Sequence, residues 1–201
     1  MASKLVKSRR TVRKKGVWTI TKPRRSVIPA DKNPLGTDGF EFVEYAAPAI
    51  RVLGALFEKL GFQAVGRRRS KDVVLYQQGD INFILNHEPH SFAQSFARVH
   101  GPSVCAFAIR VKDAAYALKQ AVLLGAKTYH GRVGPMELNI PDIRAIGGSL
   151  VYLVDRFGDR SIYDVDFAPA GKALRKVHGV GLTHIDHLTH NVHKGGWING
   201  S

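Results

Sequence analysis

Two runs, Gly39-Phe40-Glu41-Phe42-Val43-Glu44-Tyr45 and Val104-Cys105-Ala106-Phe107-Ala108-Ile109-Arg110-Val111, open two similar parts of the chain. The first run alternates apolar and acidic residues, which predicts a strand with one buried face. The second is almost entirely apolar and also predicts a strand. A helical pattern follows each run and stops at a glycine, in Leu60-Gly61 and again in Leu124-Gly125. Glycine is the residue that best adopts the left-handed cap of a helix end, so both helices are predicted to end there.

Short strand patterns follow each of these helices. After the first helix we predict strands at 62–67, 72–77 and 81–86, with a hairpin turn at 77–80 and a short helix at 90–100. After the second helix we predict strands at 126–130, 136–139 and 149–154, and a last extended piece at 163–167.

Each part therefore has the order strand, helix, three strands, and the two parts begin about 65 residues apart. The predicted fold class is α+β: two tandem βαβββ modules, at 40–100 and 104–167, that pair into a cupped or barrel-like mixed sheet. The predicted domain covers residues 33–167, and a polar linker at 168–180 follows it.

A third strand-like run is Gly181-Leu182-Thr183-His184-Ile185-Asp186-His187-Leu188-Thr189-His190-Asn191-Val192. We expect it to open a third module, of which residues 181–201 contain only the start, because nine residues follow Val192. A helix would place 184, 187 and 190 on one side. The β-branched residues and the glycine pair at 195–196 favour the strand instead.

Strand alternation decides which histidines of this run share a face. Ile185, His187 and Thr189 lie on one face, whereas His184 and His190 lie on the other. The three imidazoles therefore cannot bind one ion together, and a metal ion at His187 requires ligands from elsewhere. The alternative is that all three are surface or hydrogen-bonded core histidines.

Composition narrows the class of protein. The chain has 201 residues, enough for one or two domains, and 44% hydrophobic and 23% charged residues are typical of a soluble globular protein. No apolar run is long enough to cross a membrane, and no secretory signal is recognisable. The single cysteine, Cys105, excludes an internal disulfide and a cysteine-based zinc site, is predicted to be a buried strand residue, and favours a reducing, cytoplasmic location.

The net charge of +14 belongs mostly to the first 32 residues, which contain eleven of the thirty Lys and Arg but only one of the sixteen acidic residues. We expect this basic extension, 1–32, to be disordered. It is consistent with a nucleic-acid or anionic-surface arm, with a transit-type presequence, or with an extension that has no selected role. The third alternative ranks highest because neither an aromatic-interleaved platform nor a groove-binding motif accompanies the basic run.

The ordered motifs of the chain resemble one known family. The matching segments are Asn33-Pro34-Leu35-Gly36, 39–42, 75–82, 84–86, 100–105, 134–139, Gly147-Gly148, 155–158 and 185–192. Together, the run from 33 to 191 closely resembles the N-terminal half of bacterial 4-hydroxyphenylpyruvate dioxygenase, of the vicinal-oxygen-chelate superfamily. The basic extension and the final residues fall outside the resemblance.

The resemblance implies two pairs of βαβββ modules, with an active site in the C-terminal pair. There two histidines and a glutamate hold Fe²⁺ and leave three positions open. The implied reaction converts 4-hydroxyphenylpyruvate and O₂ into homogentisate by oxidative decarboxylation and ring hydroxylation, a step of tyrosine and phenylalanine catabolism.

By the same resemblance, His187 matches the first iron-binding histidine, and Thr189 lines the substrate pocket beside it. Asp186 is an orienting neighbour or a surface residue. The second histidine and the glutamate belong to the half that this chain does not match, so the Fe²⁺ site is incomplete here. We expect no catalytic residue and negligible dioxygenase activity from this polypeptide alone.

Four functional hypotheses follow. The first is the N-terminal part of a 4-hydroxyphenylpyruvate dioxygenase, and a close variant is a hydroxymandelate synthase. A further alternative is a non-catalytic binding or assembly module that associates with copies of itself. Nucleic-acid binding through residues 1–32 ranks last. Hydrolase, phosphate-loop and dinucleotide motifs are not recognisable.

Overall fold

The structure is a computed structural model that describes residues 11–14, 17–20, 33–129, 131, 137–170 and 177–190. The chain divides into two units, Met1–Lys32 and Asn33–Ser201. In the first unit β1 (Thr11–Lys14) pairs antiparallel with β2 (Val17–Ile20), a hairpin that the expected disordered extension did not include. The remaining predictions for 1–32 lie outside the described residues.

The first module agrees with the predicted order of elements. It consists of β3 (Thr37–Ala46), α1 (Ile50–Lys59), β4 (Gln63–Arg68), β5 (Val73–Gln78) and β6 (Ile81–Asn86). Helix α2 (Phe92–His100) follows and is capped by the Ser91 side chain, which accepts a hydrogen bond from the Gln94 amide. Gly61, directly after α1, has φ +86°, the left-handed conformation expected from the sequence.

The second module repeats this order with a shorter set of strands. It contains β7 (Ser103–Val111), α3 (Ala114–Leu123), β8 (Asp142–Arg144) and β9 (Leu150–Val154). The strand predicted at 126–130 is reduced to a single bridge between Thr128 and Ile143. Residues 137–139 of the strand predicted at 136–139 are not in a strand, and residue 136 lies outside the described residues.

The extended piece predicted at 163–167 is wrong for most of its length. Residues Ile162–Asp166 form the short helix α4, and only Phe167–Pro169 form a strand, β10. The cause is local, because Ser161 and Asp164 form a capping box. The Ser161 side chain accepts from the Asp164 backbone amide, and the Asp164 side chain accepts from the Ser161 backbone amide. Strand β10 also takes Ala168 and Pro169 out of the predicted linker.

The described strands of the second unit form one mixed sheet in the order β10-β4-β5-β6-β3-β7-β9-β8. In each module the first strand lies parallel to the last one, β3 beside β6 and β7 beside β9. The modules meet where β3 and β7 pair antiparallel. This arrangement confirms the predicted tandem βαβββ fold.

The sheet buries both of its faces. Neighbouring residues of β5 point in opposite directions: Val73 and Leu75 join one cluster, and Tyr76 joins another with Phe57 of α1. We call the first side the inner face. It contains Phe42, Leu75, Ile84, Ala108 and Val154 and is covered by Ile162, Tyr163 and Phe167. Helices α1 and α3 cover the opposite, helical face.

Among the described residues, no helix is long and apolar enough to span a membrane.

Candidate metal-ligand segment and buried polar network

The segment that carries the candidate metal ligand is not a strand in this structure. Residues 182–190 have no strand pairing, which corrects the prediction of an opening strand for a third module. A β-strand needs a neighbouring strand to satisfy its amides. Here the Leu182 amide donates to the Gln78 side chain, and the Thr183 carbonyl accepts from the Asp80 amide. The backbone at the start of the segment therefore bonds to residues of the β5–β6 turn and not to a neighbouring strand.

His187 lies in solvent, with 72% of its side chain exposed. Its Nδ1 is 3.0 Å from Oδ2 of Asp186, and its backbone amide donates to Oδ1 of the same carboxylate at 2.9 Å. The hydrogen bond from the His187 ring lowers the pKa of Asp186 below its ordinary value. With Nδ1 held by a carboxylate, Nε2 is the nitrogen that remains for a metal ion.

The residues predicted to share a face with His187 are separated. Ile185 packs against the aromatic cluster of α1, β5 and β6. Thr189 and His190 line a groove of about 380 Å³ on the domain surface, and the His190 ring contacts Phe107 edge-on with centroids 6.0 Å apart. Because the segment is not a strand, the predicted alternation does not hold for it.

The described residues contain no group of three or more His, Cys, Asp or Glu side chains that could hold a metal ion. His187 is thus a single candidate donor with an orienting carboxylate beside it.

Glu41 and Glu44 of β3 are the acidic residues of the run that predicted a strand with one buried face, and both are buried, at 3% and 7% exposure. This part of β3 lies between β6 and β7 and is covered by other elements, among them Tyr163, whose hydroxyl donates to the Glu41 carbonyl. Glu41 pairs with the Nε of Arg110, whose guanidinium also lies over the Phe157 ring at 5.5 Å. Alternation within one strand cannot identify the ion pair of Glu41 and Arg110, because burial of the pair depends on elements that are distant in the sequence.

Glu44 lies deeper, beside the inner face. Its carboxyl accepts a 2.6 Å hydrogen bond from the side-chain amide of Asn86. Burial raises the pKa of Glu44, and the Asn86 hydrogen bond and the charges of Arg68 and Lys71 offset only part of that rise.

A second buried network closes the inner face. Arg68 of β4 forms a 2.9 Å ion pair with Asp166 of α4, and Asp166 also accepts from the Leu138 amide. Lys71 lies 2.8 Å from Glu137. These pairs join the first module to residues of the second, and none of them was predicted.

Cys105 is buried and free, as predicted for a strand cysteine. Burial raises the pKa of its thiol far above the ordinary value, which leaves it protonated and unreactive at neutral pH.

Comparison with known proteins places this architecture. The family model described as hydroxyphenylpyruvate dioxygenase, HPPD, N-terminal matches residues 31–168. The chain belongs to this family. The segment with His187 lies beyond the residues that the family model matches.

Individual relatives agree with the family assignment. The chain is 58% identical over 168 residues to hemolysin VllY of Vibrio vulnificus, with 81% of this chain and 47% of the relative covered. It is 55% identical over 165 residues to the 4-hydroxyphenylpyruvate dioxygenase of Pseudomonas sp. strain P.J. 874, with 82% and 46% covered. The chain therefore spans about half the length of these curated relatives.

A solved structure is similar to the same part of the chain. It is a fusion of a xylose isomerase-like TIM barrel with 4-hydroxyphenylpyruvate dioxygenase. It has a TM-score of 0.60 and 46% sequence identity, and the match covers 66% of this chain and 22% of that one. The family and its fold are thus shown by both sequence and structure.

Proposed function

We propose that this chain is the N-terminal part of a 4-hydroxyphenylpyruvate dioxygenase and contributes His187 as one ligand of the Fe²⁺ ion. The observation that carries the proposal is the 55% identity to the Pseudomonas dioxygenase over 82% of the chain. The proposal includes oxidation of 4-hydroxyphenylpyruvate by O₂ to homogentisate, a role in tyrosine catabolism, self-association and a cytoplasmic location.

The donor set of the described residues fits part of such a site. Nδ1 of the His187 ring is paired with the Asp186 carboxylate, as is common for metal-binding histidines, and this leaves Nε2 to bind a metal ion. A facial triad needs two more donors, and no cluster of three is present in the residues that the structure describes. One imidazole alone binds Fe²⁺ weakly, so the other donors must come from outside this set. When bound, Fe²⁺ would supply the redox chemistry, and this chain's contribution is to orient one ligand.

The first module supports the inward position of His187 in a completed third module. Asp186-His187-Leu188-Thr189 aligns with Glu41-Phe42-Val43-Glu44, the acidic residue first in both. Phe42 is 3% exposed on the inner face of the sheet. If residues 182–190 form a strand equivalent to β3, His187 takes the place of Phe42 and Thr189 takes that of Glu44. The proposed roles of His187 and Thr189 therefore have a structural precedent in the same chain.

The first test is catalytic. The chain alone, supplied with Fe²⁺, ascorbate, O₂ and 4-hydroxyphenylpyruvate, should form no more homogentisate than a metal-only blank. Turnover well above that blank would show that the site is complete without further residues and would contradict the assignment.

The second test places the ligand. Residues 1–190 are joined to the C-terminal half of the Pseudomonas dioxygenase, and iron content and product are measured. His187→Ala should lose iron and homogentisate formation, whereas His184→Ala, an equally exposed histidine of the same segment, should retain both.

A second candidate function is a non-catalytic assembly module. It is favoured by one observation: the ring of His187 is exposed and belongs to no group of three possible metal donors among the described residues. Titration of the chain with Fe²⁺, followed by the NMR signals of the His187 ring, separates the two. Specific changes of the His187 ring signals on addition of Fe²⁺ support the ligand role. If the fused protein shows no such changes, the non-catalytic assembly module is supported.

A further inference from the structure

Gln78, the last residue of β5, connects two parts of the chain through one side-chain amide. It is fully buried, at 0% exposure. Its Nε2 donates to the Leu60 carbonyl at the end of α1, at 2.8 Å. Its Oε1 accepts from the amides of Val180, at 2.6 Å, and Leu182, at 3.4 Å. The side chain therefore holds the backbone of a segment about one hundred residues further along the chain.

Two backbone hydrogen bonds flank this contact. The Gly79 amide donates to the Val177 carbonyl at 2.6 Å, and the Asp80 amide donates to the Thr183 carbonyl at 2.7 Å. Residues 177–183, which we call the exit strap, are thus fastened along the β5–β6 turn. The first four residues of the exit strap are the last four of the predicted linker at 168–180.

Glycines allow the close approach. A Cβ on Gly79 would lie 2.5 Å from the Leu182 carbonyl oxygen, and one on Gly61 would lie 2.9 Å from Val180. A Cβ on Gly179 would overlap the Gln78 side chain itself. Contacts this short exclude any larger residue unless the backbone moves. Three separate positions of the sequence are therefore fitted to one contact.

Beyond buried Val177, the strap is held by its backbone rather than by burial of its apolar side chains. Val180 is 74% exposed and Leu182 is 46% exposed, although Gln78 between them and the domain is completely buried. Apolar packing tolerates sliding, whereas hydrogen bonds to successive amides fix position and direction. The contact consequently determines where the chain leaves the domain.

We propose that Gln78 is a positioning residue for the segment that carries His187. It fixes the exit strap five residues before His187, and Ile185 provides a second contact on the aromatic cluster. This inference rests on the proposed function for its significance, but its geometry concerns this chain alone. A dioxygenase built on this domain would use the contact to aim the first strand of the metal-binding half.

The test uses the full chain without metal or substrate, so its outcome is independent of the proposed activity. Hydrogen exchange is measured for Gln78→Ala, with Gln77→Ala as the matched control, since Gln77 makes only a local bond to Asn82 in the same hairpin. In Gln78→Ala the amides of Val180 and Leu182 should exchange about five- to tenfold faster, as expected for the loss of one hydrogen bond. The amides of β6 should not change.

Position is read out separately with spin labels at His187→Cys and Lys119→Cys, because buried Cys105 should not react. Gln78→Ala should broaden the distance distribution between the labels. Gln78→Leu, which restores apolar packing but no hydrogen bond, should broaden it equally. If Leu restores a narrow distribution, the role of Gln78 is packing and the inference is wrong.

Gly179→Ala disturbs the same contact from the strap side and protects the test against a misfolded core variant. It should reproduce the faster amide exchange and the broader distance distribution of Gln78→Ala. The melting temperature of the domain should stay as high as that of the Gln77→Ala control. Unchanged exchange at Val180 and Leu182 in both Gln78→Ala and Gly179→Ala would overturn the proposal.

Discussion

Replacement of Arg110 by methionine removes the charge that faces buried Glu41 while keeping most of the side-chain volume. Breaking a buried ion pair by deleting one partner costs roughly 3–5 kcal/mol, because the other charge stays uncompensated. Arg110 is 28% exposed, so we take the lower end, about 3 kcal/mol. Loss of its contact with the Phe157 ring adds about 0.5–1 kcal/mol. We therefore expect the free energy of unfolding to fall by about 3.5–4 kcal/mol.

The measurement is urea unfolding followed by circular dichroism. With a slope of about 2 kcal/mol per molar urea, the Arg110→Met midpoint should fall by roughly 1.5–2 M. Glu41→Gln should cost less, because Arg110 can still reach water. The double variant should cost clearly less than the sum of the two single variants, with a coupling energy of about 2 kcal/mol or more. Arg51→Met, at an exposed position of α1, is the control and should stay within about 0.5 kcal/mol of the parent.

Additivity would refute this reasoning. If the two single effects sum to that of the double variant within about 0.5 kcal/mol, the buried pair does not act as a unit.

Three further predictions concern other parts of the molecule. Because the raised pKa of Glu44 means that the folded state holds its proton more tightly, the free energy of unfolding should fall as pH rises above the ordinary value of 4.5. Glu44→Gln should remove that loss, by at most about 1.4 kcal/mol per pH unit, and parallel curves from pH 4 to 7 would contradict it. Leu75→Ala, at 0% exposure on the inner face, should cost about 2–5 kcal/mol in the same assay, whereas half-exposed Leu56→Ala should cost under about 1 kcal/mol. Any affinity for DNA should fall steeply with salt concentration and vanish when residues 1–32 are deleted. Affinity that survives the deletion would place the DNA-binding site in the folded unit instead.

Elements fixed by local chemistry were predicted well from the sequence. Helix α1 ends before Gly61 and the β5–β6 hairpin turns at Gly79-Asp80, because each depends on neighbouring residues. Helix α4 was missed although its capping box is local: its Ser-Ile-Tyr-Asp pattern was hidden in an alternating stretch. A search for the box would have found it.

Features that depend on distant strands were not predictable in the same way. Burial of Glu41 and Glu44 depends on the distant elements that cover β3 in the folded chain, and no pattern within the strand reports that. The alternation assigned to residues 182–190 assumed a partner strand, and without one Ile185 and His187 have different surroundings. The family resemblance, by contrast, was confirmed because it rests on many ordered segments and not on one contact.

Strand β10 follows the second module in the chain but pairs with β4, at the far edge of the first. Arg68 and Asp166 tie the same ends together by charge. The chain thus returns to the first module after completing the second, and this contact closes the domain. Neither half can open alone without breaking that closure, so residues 33–170 should melt in a single cooperative step, and a cut between the halves should weaken both.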